Sequence, residues 1–284
     1  MIRFNSLQIN VCLISLFFIM GLLNFSSLAQ NKTIQIVQIT DPQFGFFDEN
    51  KSFVKETTLY TEAIRQINEL KPDFVVITGD LVNNSKDIKQ IEEFKRITKG
   101  LDKDIPVYLS PGNHDLGQNP TKEDFDFYFS HYGNGNDIFS IKYDGAYLIG
   151  LNSVIIKSET NDKEEKKQLR WLKRELKRAK SSDYIILFTH YPFFLNDFNE
   201  NESYSNQSKT NRLKYFTLFK KYGVDVIYAG HLHNNAEASY NGIKMITTNA
   251  VGRPLGKVVP GYRLIMLSEG MISSEYIPLD TREN

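Results

Sequence analysis

From Thr33 onward, short apolar runs rich in β-branched residues alternate with segments whose apolar positions recur at helical spacing. TIQIVQIT reads as a strand, and Leu59, Ala63, Ile64, Ile67 and Leu70 mark one face of a helix that Lys71-Pro72 stops. The pattern then repeats: FVVITGD is a buried strand, Ile88 to Ile97 a helix, and IPVYLSPGNHD a strand running into a loop. That rhythm is one of β-α-β units and a sheet covered on its faces. Later runs (DIFSIKY, AYLIGLNS, AEASYNG, IKMITTNA, YRLIMLS, MISSEYIPL) are strands with few long helices between them, which predicts antiparallel additions or a second sheet. Helices are expected at Glu164 to Lys180, with Leu169, Leu172, Leu176 and Ala179 on one stripe and its dense charges on a solvated face, and at Arg212 to Tyr222. The polar run from Asn196 to Thr210 reads as a long exposed loop. The expected fold is α/β: a mixed two-sheet sandwich flanked by helices.

The N-terminus follows a different pattern. Arg3 is its only charge, Val11 to Leu23 is a nearly unbroken apolar run of thirteen, and Ser27-Leu28-Ala29 places small residues as a signal peptidase requires. Residues 1–29 are expected to be a cleaved secretory signal, leaving residues 30–284 as one domain in the periplasm or outside the cell. The alternative is an uncleaved membrane anchor over residues 9–25, whose seventeen residues sit at the bottom of the spanning range. The only cysteine, Cys12, lies inside this segment, so the rest of the chain has neither disulfide nor thiol nucleophile.

Composition narrows the function. Thirty-four basic and thirty-four acidic side chains cancel, so no global field favours nucleic acid or an anionic membrane. Any affinity for phosphate must be local.

Five strands end in oxygen or imidazole donors: Asp41-Pro42-Gln43, Gly79-Asp80, Gly112-Asn113-His114-Asp115, His190, and Gly230-His231-Leu232-His233. Loops beyond the carboxyl ends of such strands are where α/β proteins gather ligand sites, and glycines let the backbone approach an ion or phosphate. Each motif alone is weak, since an Asn-His or a His-X-His is more often a hydrogen-bonded turn. Their order together resembles the calcineurin-like metallophosphoesterase signature. The wording DPQFG, GDL, GNHDLG, HYPFFL, GHLHNN and VGRPLG is similar to the family of calcineurin-like phosphoesterase domain-containing protein 1, from about Ile34 to Pro278.

The resemblance implies a four-layer α/β/β/α metallophosphoesterase sandwich. It implies two divalent ions, Mn²⁺ foremost with Fe, Zn²⁺ or Mg²⁺ as alternatives. The first would be held by Asp41, Gln43, Asp80 and His233, the second by Asp80, Asn113, His190 and His231, with Asp80 shared. Such ions, about 3.5 Å apart, share a hydroxide that attacks phosphorus in line. His114, just outside the metal ligands, would stabilise developing charge or protonate the leaving oxygen, and Asn113 and His114 would also meet substrate. Arg253 in NAVGRPLG could clamp a phosphate with its planar fork, or be a plain surface arginine.

Gln43 stands where most of the superfamily has histidine, although the family resembled here also has glutamine. An amide oxygen is a harder, weaker donor than imidazole, which predicts an asymmetric pair with a looser first ion; alternatively Gln43 only hydrogen-bonds a ligand or water. Asn83 stands where purple acid phosphatases have tyrosine and other relatives an aspartate that orients the catalytic histidine, so no purple chromophore is expected and any partner of His114 there is neutral. Arg212 is a weaker phosphate candidate, His131 reads as structural, and Tyr191 and Phe193 either line the cleft or pack. The preferred reading is a phosphatase acting on phosphomonoesters, phosphoproteins included; a phosphodiesterase of the same fold and a non-catalytic metal- or phosphate-binding module are the alternatives.

Overall fold

The structure, a computed structural model, describes residues 33–280. The expected signal segment, the alternative anchor and Cys12 lie outside the described residues. The first half runs β1 (Ile34–Ile39), α1 (Val54–Leu70), β2 (Phe74–Thr78), α2 (Ile88–Thr98), β3 (Val107–Ser110), α3 (Asn113–Leu116) and α4 (Lys122–Tyr132). The second runs β4 (Phe139–Tyr143), β5 (Ala146–Gly150), α5 (Ser153–Lys157), α6 (Asp162–Ala179), β6 (Tyr184–Phe188), α7 (Lys209–Tyr222), β7 (Val226–Ala229), β8 (Ala236–Tyr240), β9 (Ile243–Thr247), β10 (Gly261–Ser268) and β11 (Met271–Pro278).

Both sheets are mixed. One has the order β11-β10-β1-β2-β3, with β1, β2 and β3 parallel and β10 and β11 antiparallel additions. The other has the order β4-β5-β6-β7-β9-β8, parallel from β5 to β9 with an antiparallel strand at each edge. Alternation along the strands builds the layers. Ile34 and Ile36 of β1 meet Phe74 and Val76 of β2 and, from the other sheet, Leu148, Ile186, Phe188 and Tyr228. Val37, Ile39, Val75 and Ile77 point the opposite way, against Tyr60, Ala63 and Ile67 of α1, Phe94 of α2 and Tyr128 of α4. On the far side, Ile149, Leu187 and Ile227 pack against Leu172 and Leu176 of α6 and Phe216 and Phe219 of α7. Each such side chain contributes about 1.5–3 kcal/mol by leaving water. The result is the expected α/β/β/α sandwich.

Local chemistry sets the element ends. Asp87 caps α2 by accepting from Lys89 N and Gln90 N, and Lys71, in the left-handed region at φ 52°, closes α1 before Pro72. Among the described residues, no helix is long and apolar enough to cross a membrane.

The loop from Asn196 to Thr210 departs from expectation, because much of it is tied down. Phe198, Asn206 and Gln207 are buried. Arg212 is the reason: fully buried, it donates to the carbonyls of Gln207 (2.9 Å), Phe198 (2.8 Å) and Glu200 (2.6 Å). Its donors serve the loop backbone and are not available to a phosphate.

Candidate metal centre

The parallel strands β1, β2 and β3 of one sheet and β6 and β7 of the other deliver all five motifs at their carboxyl ends. The loops stay paired beyond the strands: Asp41 N donates to Gly79 O (3.1 Å), Gln43 N to Asp80 O (2.9 Å) and Gly230 N to His190 O (3.0 Å). That pairing holds an unusual backbone. Asp41 (φ 52°), Gln43 (38°), Asp80 (50°), His231 (72°) and His233 (48°) all lie in the left-handed region. For a side chain with a Cβ this costs roughly 1–2 kcal/mol each, and such strain gathers where geometry serves a ligand.

Each donor is fixed at one end and presented at the other. Asp41 Oδ2 accepts from Thr40 Oγ1 (2.6 Å) and His231 N (3.0 Å), and Asp80 Oδ1 accepts from His114 N (2.8 Å). His190 Nδ1 meets Thr78 O at 2.9 Å and His233 Nδ1 meets Arg253 O at 2.5 Å, so in a neutral ring Nε2 carries the lone pair. Gln43 Nε2 donates to Asn83 Oδ1 (3.1 Å), whose own Nδ2 donates to Asn50 Oδ1 (2.8 Å). This line of amides turns Gln43 Oε1 the other way.

What converges is electron-rich. His190 Nε2 lies 3.3 Å from Asp80 Oδ2, 3.1 Å from Asn113 Oδ1 and 3.2 Å from His231 Nδ1. His233 Nε2 lies 3.4 Å from Asp41 Oδ1. Donor atoms of Asp80, His190 and His231 fall within 4.8 Å of one another, as do those of Asp41, Asp80 and His233, so Asp80 belongs to both groups. Asp41 Oδ1 and Gln43 Oε1 are buried without a hydrogen-bond partner. Leaving a buried polar atom unpaired costs about 1–3 kcal/mol, and lone pairs aimed at one another repel. Cations resolve both, so the residues fit divalent ions held by mixed nitrogen and oxygen donors.

Titration points the same way. Burial opposes charge on His190, yet Asp80 and Asp41 outweigh it and hold its imidazole up at about 9. Burial and the charge on His190 then press His231 down to about 3. Burial would raise the Asp80 carboxyl, but the imidazoles around it win and it lies well below the usual range. Here protons sit where positive charge is stabilised.

The remaining candidates sort themselves. His114 Nδ1 lies 3.0 Å from the backbone carbonyl of Asn83; the partner is neutral, as expected, but it is the main chain, and the Asn83 side chain serves Gln43 instead. Arg253 is half-buried, stacked 5.1 Å over the Phe46 ring and donating to Phe46 O (3.2 Å), which is more than a plain surface residue does. Tyr191 is buried with its ring 4.2 Å from that of His231, whereas Phe193 packs against Tyr215, Phe216 and Phe219 away from the centre. His131 lies on α4 with its ring 4.6 Å from Phe127, outside the centre.

Three supporting residues carried no reading from the sequence. Asp115 accepts from Gly112 N (2.8 Å), Leu81 N (2.9 Å) and Val82 N (3.4 Å), binding two of the motif loops together. Burial, with the charge of Asp80, pushes its carboxyl up to about 8. Ser153 Oγ accepts from His190 N (3.0 Å) and Tyr191 N (2.8 Å). Tyr204 Oη accepts from Asn113 Nδ2 (3.1 Å). Only Asp115 had a local signal, its place in GNHD.

A sequence model of the calcineurin-like phosphoesterase family matches residues 34–235. The chain belongs to that family. This phosphoesterase is 32% identical over 262 residues to the serine/threonine-protein phosphatase CPPED1 of Rattus norvegicus, covering 86% of this chain and 83% of the relative. It is 30% identical over 218 residues to a probable glycerophosphodiester phosphodiesterase, GpdQ, of Arcobacter nitrofigilis, covering 75% and 76%. Among solved structures, a dimetal phosphatase from Danio rerio superposes with a TM-score of 0.60 at 15% identity, covering 87% of this chain and 99% of that one. The phosphoesterase is thus a phosphoric ester hydrolase by family, and it has the fold of that structure.

Proposed function

We propose that the phosphoesterase hydrolyses phosphomonoesters, phosphoproteins among them, at a centre of two divalent ions. The observation that carries the reading is the pair of donor groups sharing Asp80. Asp41, Gln43, Asp80 and His233 would hold one ion, and Asp80, Asn113, His190 and His231 the other. When bound, such ions supply a water of lowered pKa, the hydroxide nucleophile of a two-metal hydrolase, and neutralise phosphoryl oxygens.

The chain's own residues supply the rest. Asp80 and Asp41 provide the negative charge that makes the centre take up cations, and their scaffold-held oxygens keep the free ones in place. His114 is turned by its Nδ1 contact to Asn83 O, so Nε2 is the atom that faces a phosphoryl or leaving oxygen. In the imidazolium form, a proton on Nε2 would stabilise developing charge or pass to the leaving group. Arg253, already braced by Phe46, retains guanidinium donors for a phosphate oxygen. The phosphomonoester reading draws support from CPPED1, named a serine/threonine-protein phosphatase. The relative named as a diesterase favours the second reading, a phosphodiesterase of the same fold. A panel comparing p-nitrophenyl phosphate with its bis-ester in Mn²⁺ decides: faster bis-ester turnover selects the second reading, and no turnover of any ester in any metal leaves a binding module.

Gln43 Oε1, buried and without a hydrogen-bond partner, would make the first ion the looser one, because an amide oxygen binds borderline transition metals less well than imidazole does. We expect partial chelation to leave about one metal per chain, and Mn²⁺ to suit this site better than Zn²⁺. Gln43→His should hold the first ion against more chelator. Superimposable curves of metal content against chelator for the two proteins would remove Gln43 from the ligands.

Export through a cleaved signal at residues 1–29 remains part of this proposal. Intact mass of the protein from its native source should begin at Gln30; a chain that keeps Met1 in the membrane fraction would favour the anchor.

A further inference from the structure

Two amide side chains belong to the motifs of the centre, and the NH₂ group of each is held by a partner outside those motifs. Gln43 is turned by Asn83. Asn113 Nδ2 donates to Tyr204 Oη at 3.1 Å, while Asn113 Oδ1 lies 3.1 Å from His190 Nε2. A primary amide presents an acceptor at one end and donors at the other, so the partner of its NH₂ decides which end faces the ring nitrogens. For Asn113 that partner lies ninety-one residues away in sequence.

Tyr204 can do this because the loop that carries it is anchored. Arg212 holds four of its carbonyls, Asn201 O (3.4 Å) with the three described above, and the Glu200 carboxylate accepts from Leu195 N (2.9 Å), Asn196 N (3.0 Å) and Asp197 N (3.2 Å). Lys157 Nζ donates to Ser203 O and Asn206 O on either side of Tyr204, at 2.5 Å each. Buried or charge-assisted hydrogen bonds of this density fix a segment that composition alone would leave free. The Tyr204 ring lies 4.9 Å from that of His231 and 6.5 Å from Tyr191, yet the residue stays 54% exposed. Its hydroxyl accepts one hydrogen bond from Asn113 and retains its own proton to donate.

We propose that Tyr204 is a positioning and substrate-binding residue of this phosphoesterase: by accepting from Asn113 Nδ2 it keeps Asn113 Oδ1 turned towards His190, and its O–H donates to a phosphoryl oxygen of the bound ester. The proposal deepens the two-ion reading and rests on it. Tyr204→Phe removes both functions and keeps the ring on His231, so it separates the hydroxyl from packing.

The test is calorimetric titration with Mn²⁺, then with inorganic phosphate on the Mn²⁺-loaded chain, for the wild type, Tyr204→Phe, Asn113→Ala and the double variant. For Tyr204→Phe, Mn²⁺ at the tighter site should bind about tenfold more weakly, the lower end of what losing a ligand's orienting partner costs, and phosphate should also bind about tenfold more weakly. The double variant should bind Mn²⁺ no more weakly than Asn113→Ala alone, because the hydroxyl acts on the metal only through that amide. Wild-type constants in Tyr204→Phe, or additive losses in the double variant, would overturn the proposal. A wild-type chain that takes up no Mn²⁺ would overturn the two-ion reading, and the proposal with it.

Discussion

Asp80→Asn is expected to lower turnover at least about a thousandfold, roughly 4 kcal/mol of transition-state stabilisation, while leaving the fold intact. Asp80 is the residue whose carboxylate serves both donor groups. Its Oδ1 holds His114 N at 2.8 Å, a bond that an asparagine oxygen keeps, so the loop need not move. Its Oδ2, 3.3 Å from His190 Nε2, becomes an NH₂ group that points hydrogens at the place where cations gather. Charge at the shared position falls by one, and both ions weaken together. His114→Ala offers the contrast: because His114 lies outside both donor groups, turnover should fall about a hundredfold, the low end for a lost acid-base group, with metal content unchanged. Steady-state kinetics beside metal analysis of the two variants checks the pair. Equal metal loss in both would make His114 a ligand.

Gly112→Ala should be nearly as damaging, for a steric reason. Gly112 has an extended backbone that any residue adopts, so conformation is not the obstacle. A Cβ there would lie 2.1 Å from Asp80 Oδ1 and 2.3 Å from Asp80 N, and one on Gly79, at φ 85°, would strike Gly112 N at 2.4 Å. The loops after β2 and β3 touch backbone to backbone, and the shared carboxylate sits in the seam. Relieving the clash must move a main chain, which costs about 3 kcal/mol and lowers Tm on the order of 6–12 °C for a chain of this size. Displacing Asp80 by about 1 Å costs a further hundredfold in rate. Scanning calorimetry and kcat together test this; wild-type values of both would mean that the contact is slack.

The strands and the first-layer donors were legible because both are local signals. Period-two and buried apolar runs placed β1, β2, β3, β6 and β7, and the donors follow those runs within a few residues. Helix α6 begins two residues before its expected start, at Asp162, because acidic residues favour a first turn that apolar spacing does not register. Helix α4 went unread, although Thr121 and Asp124 form a capping box at its start. What the sequence hid is the partnership between distant polar residues. Asn83 lies forty residues from Gln43, and that its side chain serves Gln43 while its carbonyl meets His114 follows from how the loops after β1 and β2 pack. Arg212 and Tyr204 were hidden for the same reason. A polar run between a strand and a helix looks solvated until one buried guanidinium collects its carbonyls.

With both ions bound, Asp80 would lie between them. Anomalous diffraction at the manganese edge from crystals of the chain grown with Mn²⁺ tests it directly. Two peaks should appear, both within bonding reach of Asp80, one beside Asp41, Gln43 and His233 and the other beside Asn113, His190 and His231. A single peak at saturating Mn²⁺, or two peaks of which one does not touch Asp80, would contradict the account.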